Sequence, residues 1–132
     1  MYLRFVTERV SKHDGRREGF FQTCYSVWRG AETPEFAVKE LRLLLDWFDA
    51  NLDEPTAFNR STSKKNMVNR NGVGLSWFRP EASKHIAKAF DAAAIIEQFG
   101  FPVTVLKSTQ PGYIVFEDTF QIVAIPFANT PN

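Results

Sequence analysis

The sequence predicts an α+β fold, a two-layer domain in which a mainly antiparallel sheet of about five strands carries three helices on one face. Three observations predict it. Apolar residues recur at helical spacing in three segments, and each segment has a single wide apolar stripe. The first ten residues and the last thirty alternate or run in short β-rich stretches between turn residues. Striped helices and a one-sided sheet each need cover, and for the order β-α-α-β-α-β-β-β the economical cover is each other.

The elements follow in order. In 2–10, Leu3 and Phe5 alternate with Arg4, and Val6 and Val10 extend the pattern into a strand. The turn chemistry of KHDG comes next, with Asp14 as the expected cap of a helix over 16–29. That helix would bury Phe20, Cys24, Val27 and Trp28, widened by Phe21 and Tyr25, and end at Gly30. ETPEF predicts a second helix, with Thr33 as N-cap and Pro34 at the first position. Leu41, Leu44, Leu45 and Phe48 keep its spacing, and Pro55 stops it.

A polar stretch without periodicity, NRSTSKKNMVNRNGVG, fills 59–74 and is read as part of an exposed basic loop at about 56–73. GLSWF is a short strand. Pro80 is expected to open a third helix, with Glu81 in its first turn and Ala82, Ile86, Ala89, Phe90, Ala93 and Ile96 on one face. PVTVLKS, YIVFE and FQIVAIPF are strands, the last two joined as a hairpin at the centre of a meander, and ANTPN is a frayed tail.

A chain of 132 residues is read as one domain, 1–132, large enough to bury a real core. Thirteen Phe and three Trp point to a core filled by large rings. A single cysteine, Cys24, rules out an internal disulfide, and MYLRFVTERV lacks the apolar centre of a signal peptide. No apolar run is long enough to span a membrane, so the expected setting is cytoplasmic. The net charge of +1 hides segregation: 31–54 is strongly acidic, whereas 55–88 holds seven cations against Glu81 alone.

Chemical signatures are sparse. There is no Walker loop, dinucleotide-binding glycine pattern or nucleophile elbow, and no clustered His/Cys set for a metal, so no cofactor is expected. Cys24 sits on a core stripe, where a thiol is inert. His85 falls one turn after Glu81 on the expected third helix, a spacing that lets a carboxylate orient an imidazole as general base. At the rim of an apolar face, His85 equally suits a packing role. The basic set comprises Arg60, Lys64, Lys65 and Arg70, with Trp77 and Arg79 beyond. Cations beside an aromatic platform are what single-stranded nucleic acid requires, although a charge run also serves as a solvated loop. Arg16 and Arg17, placed at a helix start, oppose the helix dipole and call for an acidic or local partner.

The segments LSWFRPEASKHI and FGFPVTVLKSTQPGYIVFEDTFQIVAIPF resemble a set of small bacterial proteins of unknown function that share the pattern PGYIVFED-x-FQIVA-x-PF. Those proteins also open on a strand like MYLRFV and have a Gly-Arg-Arg segment before the first helix. The resemblance covers most of the chain outside 59–71. It implies a bacterial cytoplasmic protein of one autonomous domain and brings no activity.

The leading functional expectation is a non-enzymatic binding or accessory module acting through protein contacts, with a protein partner and a homodimer both compatible. The alternative is a nucleic-acid or phosphate-anion binder through 60–79. A second alternative is a small enzyme using His85 with Glu81.

Overall fold

The computed structural model describes residues 1–12, 14–55 and 74–132. The element order is β1 (Tyr2–Val10), β2 (Arg17–Gly19), α1 (Phe20–Trp28), α2 (Glu35–Asn51), β3 (Leu75–Phe78), α3 (Ser83–Glu97), β4 (Thr104–Ser108), β5 (Tyr113–Glu117) and β6 (Gln121–Ile125). Among the described residues this is the expected α+β order with one addition, the three-residue strand β2.

Every strand pairing is antiparallel. One edge of β1 pairs with β4 through Tyr2 to Val6. Its other edge is shared, with Leu3 opposite Phe78 of β3 and Val6 opposite Gly19 of β2. Beyond β3 the order continues through β6 to β5. The expected hairpin of β5 and β6 is present, but β6 lies between β3 and β5, and β4 pairs with β1 instead of joining a C-terminal meander. Because β4 and β5 are joined only by residues 109–112, the two ends of the sheet are tethered to each other and the sheet curls.

Curling gives the sheet two different apolar faces. The outer face presents Leu3, Phe5, Phe78 and Val105 to the three helices, which also pack on one another. Each helix delivers its stripe there: Phe20, Cys24 and Val27 from α1; Ala37, Leu41, Leu45 and Phe48 from α2; Ala89, Ala92, Ala93 and Ile96 from α3. The ring surplus is spent in this layer. Phe5 meets Phe20 at 5.2 Å and Phe78 edge-on at 6.0 Å, and Phe21 meets Phe48 edge-on at 5.0 Å. The inner face is closed by Trp77, Ile122 and Ala124, with Tyr2, Leu75 and Leu106 around them.

Helix boundaries depart from the sequence reading for identifiable reasons. The segment 16–19 is not helical, because β2 pairs with β1 before α1 starts at Phe20. Asp14 caps no helix; its Oδ1 accepts from the Arg16 amide at 3.0 Å in a local turn. Thr33 does not cap α2, since its hydroxyl donates back to the Val27 carbonyl at 2.6 Å and closes the end of α1, leaving Pro34 at the cap. The third helix opens at Ser83, not at Pro80, after a turn in which the Ala82 amide reaches the Arg79 carbonyl.

The C-terminal segment is not frayed. Thr130 is buried, accepting from the Phe127 amide at 2.8 Å and donating to the Pro111 carbonyl at 3.1 Å. Arg16 reaches the Phe127 carbonyl at 3.3 Å, and Arg17 holds the Asn132 backbone oxygen at 2.6 Å. The partners of these two side chains are thus tail carbonyls more than a hundred positions away, not the local or acidic groups expected. No helix among the described residues is long and apolar enough to cross a membrane.

Candidate functional site

Of the residues singled out in the sequence, those that are described do not form one site. Arg60, Lys64, Lys65 and Arg70 lie outside the described residues. Trp77 is 1% exposed, with its ring on the inner face of the sheet, so it offers no open stacking platform; this corrects the expectation placed on it. Arg79 is already engaged. Its Nε donates to the Asp118 carbonyl at 2.7 Å, and Nη2 pairs with Glu117 at 2.9 Å, fastening the β5–β6 turn to the end of β3.

The His85–Glu81 pair is also corrected. Because α3 begins at Ser83, Glu81 is not one helical turn before His85, and no bond joins them. Glu81 instead borders an open depression with Arg79, Glu117 and Asp118. His85 is buried, with Nε2 2.8 Å from the Asn51 carbonyl and its ring between Trp47 and Phe120. An imidazole held by a backbone carbonyl and aromatic rings, away from a carboxylate, is a packing residue. Among the described residues no cluster of His, Cys, Asp or Glu has a metal-binding arrangement. Burial pushes the Cys24 thiol up to about 12, which leaves it inert at neutral pH.

The feature that the sequence did not reveal is a cavity of about 260 Å³ between α1, α2 and the part of the sheet where β2 and β3 share the edge of β1. Its walls are rings and aliphatic groups: Phe20, Phe21 and Tyr25 from α1, Leu45, Phe48 and Leu52 from α2, Phe5 and Phe78 from the sheet. It exists because β2 stops at Gly19 and β3 begins farther along the same edge, so one strand position beneath the helices is left incomplete.

Arg4 of β1 occupies that interruption. Its guanidinium lies between Gly19 and Ser76, where Nη1 donates to the Ser76 carbonyl at 3.2 Å. A Cβ at Gly19 would stand only 3.7 and 3.8 Å from the two terminal nitrogens. Burial lowers the Arg4 pKa to about 10, partly offset by Asp14 and reinforced by Arg16. No carboxylate among the described residues forms an ion pair with it. A guanidinium offers five N–H donors, and among the described residues this one makes a single bond. The floor of the cavity is therefore a partly desolvated cation with donors that no described residue engages.

The mouth has the opposite sign. Asp49, Asp53 and Glu54 line it and are exposed. Burial and then Asp49 hold the Tyr25 phenol above its ordinary value. Charges that stay in water act on one another by only about 1 kcal/mol at contact, and by less with distance and salt. The half-buried floor, less screened than the fully exposed rim, therefore weighs more in deciding what the interior accepts. The Gln121 side chain holds the mouth in place by donating to the Asp53 carbonyl at 2.7 Å.

In sequence, Arg4 reads only as the polar partner in an alternating strand. Its exceptional position depends on where β2 ends, which no local pattern records. No family model, no curated protein and no solved structure matches the chain.

Proposed function

We propose that this chain is a non-enzymatic binding module acting through protein contacts, with the cavity beneath α1 and α2 as its working surface. The observation that carries this reading is the hollow itself. Rings fill the helix–sheet layer elsewhere, yet here about 260 Å³ is left open against the six aromatic side chains of its walls. Natural interiors leave few voids larger than a water molecule. An open, apolar, ring-sized socket is the shape that receives one anchor side chain of a partner, the kind of contact that dominates interface energetics. The volume is below that of usual sites for drug-sized ligands, about 300–1,000 Å³, which favours a single inserted group.

Capture of partners from nuclease-treated lysate tests this reading, comparing the wild-type chain with Leu45→Trp, a substitution that fills the socket. Retention by the wild type and loss by a folded Leu45→Trp variant is the expected result. Equal retention by both proteins removes the cavity from the interface. Retention that disappears on nuclease treatment favours the nucleic-acid alternative through Arg60, Lys64, Lys65 and Arg70.

A further inference from the structure

We propose that the cavity binds an aromatic carboxylate, with the ring held among Phe20, Phe21 and Phe48 and the carboxylate on the guanidinium of Arg4. This rests on the reading of the cavity as a binding site and names the chemistry of its occupant.

Three observations lead to it. Arg4 spends one donor on the Ser76 carbonyl, and its remaining N–H groups have no partner among the described residues. A guanidinium presents its donors as a planar fork that matches the two oxygens of a carboxylate. Next, Arg4 is partly buried and forms no ion pair among the described residues, Asp14 acting on it without contact. A charge withdrawn from water and left unpaired is unfavourable, so an incoming anion gains from relieving it. Last, the space suits a ring. An apolar cavity of about 150 Å³ admits benzene, and this one, at about 260 Å³, leaves room for a ring and a short acidic arm.

The exposed carboxylates Asp49, Asp53 and Glu54 bear on selection. They discourage an anion from stopping at the mouth, so the acidic group must lie inside, at Arg4. An aromatic amine has the reverse polarity, with nothing at the floor to receive it. A neutral ring fills the walls but leaves the guanidinium unpaired.

The test uses N-acetyl-phenylalanine, its C-terminal amide, and a five-residue peptide ending in Phe, each titrated into the full chain by calorimetry. The acid is expected to bind at least ten-fold more tightly than the amide. That preference should vanish in Arg4→Met and be partly kept in Arg4→Lys, with folding of both variants checked by circular dichroism. Equal affinity for acid and amide in the wild-type chain overturns the carboxylate assignment and leaves the cavity reading standing. Absence of binding by every probe overturns both. A peptide that binds as well as the free acid locates the carboxylate at a polypeptide terminus, whereas a weaker peptide assigns it to a free acid. Either of those two results upholds the inference.

Discussion

His85 lies stacked on Phe120, with ring centroids 4.2 Å apart and planes 28° from parallel. Phe120 sits in the turn between β5 and β6, so this pair ties α3 to the far end of the sheet. The same imidazole contacts the Asn51 carbonyl at the close of α2. One side chain thus joins two helices and a hairpin.

Replacing His85 with Ala should therefore cost stability. The loss of a buried ring and of its bond to Asn51 predicts about 2–4 kcal/mol, read from urea denaturation. Glu81→Gln should stay within about 0.5 kcal/mol, since Glu81 contacts open solvent and not His85. A large effect of Glu81→Gln that disappears in the His85→Ala background would restore the paired reading.

Gly112 and Gly100 form a matched contrast. Both have positive φ, +148° and +90°, which is strained for any side chain. A Cβ at Gly112 would come 2.1 Å from the Ile125 carbonyl oxygen, whereas at Gly100 it meets nothing within 4 Å. Gly100→Ala should then cost only backbone strain, about 1–2 kcal/mol. Gly112→Ala should cost clearly more, because the β4–β5 turn must move away from β6. Equal melting temperatures for the two variants would contradict the close approach of that turn.

The tail depends on two arginines. Arg16 and Arg17 bond the backbone oxygens of Phe127, Thr130 and Asn132. Arg17→Met should accelerate amide hydrogen exchange across 127–132 while changing global stability by about 1 kcal/mol or less. Unchanged exchange in that segment would mean that Thr130 anchors it without help.

The Cys24 thiol supplies a pH signature. Its folded pKa of about 12 is raised above the ordinary 9.0 by burial. The folded state therefore keeps a proton that the unfolded state loses above pH 9. Stability from this group is complete below pH 9 and falls as pH rises toward 12, at up to about 1.4 kcal/mol per pH unit. Urea titrations of the wild type and Cys24→Ala should show a constant difference below pH 8 and a shrinking wild-type advantage above pH 9. A difference independent of pH up to 11 would place the thiol in contact with water.

The elements that sequence reading located well are those whose periodicity has one explanation. Leu41, Leu45 and Phe48 on α2, or Ala89, Ala93 and Ile96 on α3, repeat at helical spacing and are buried on one side as that spacing requires. The β5–β6 hairpin was equally readable, because two β-rich runs with a short polar joint have few other ways to pair. Misreadings arose at junctions. Arg16 to Gly19 could extend a helix or pair with β1, and the choice was made by the free edge of β1 and by tail carbonyls more than a hundred positions away. Thr33 had two carbonyl or amide partners within reach, and it closes the preceding helix.

The candidate site was the least readable part. Its walls were visible one by one as core aromatics, but a hollow is a property of how elements meet. Trp77 illustrates the converse. Beside Arg79 it resembled an exposed platform, and the curl of the sheet turned it inward.

By itself the amino-acid order determined the α+β class, the three amphipathic helices and the strand pattern, because hydrophobic period and turn chemistry act over a few neighbouring residues. Tertiary structure alone decided that β2 and β3 share one edge of β1, that a cavity opens at their junction, and that Arg4 stands there with donors that no described residue engages. Those outcomes depend on contacts between residues 4, 19 and 76, which lie too far apart along the chain for any local pattern to encode.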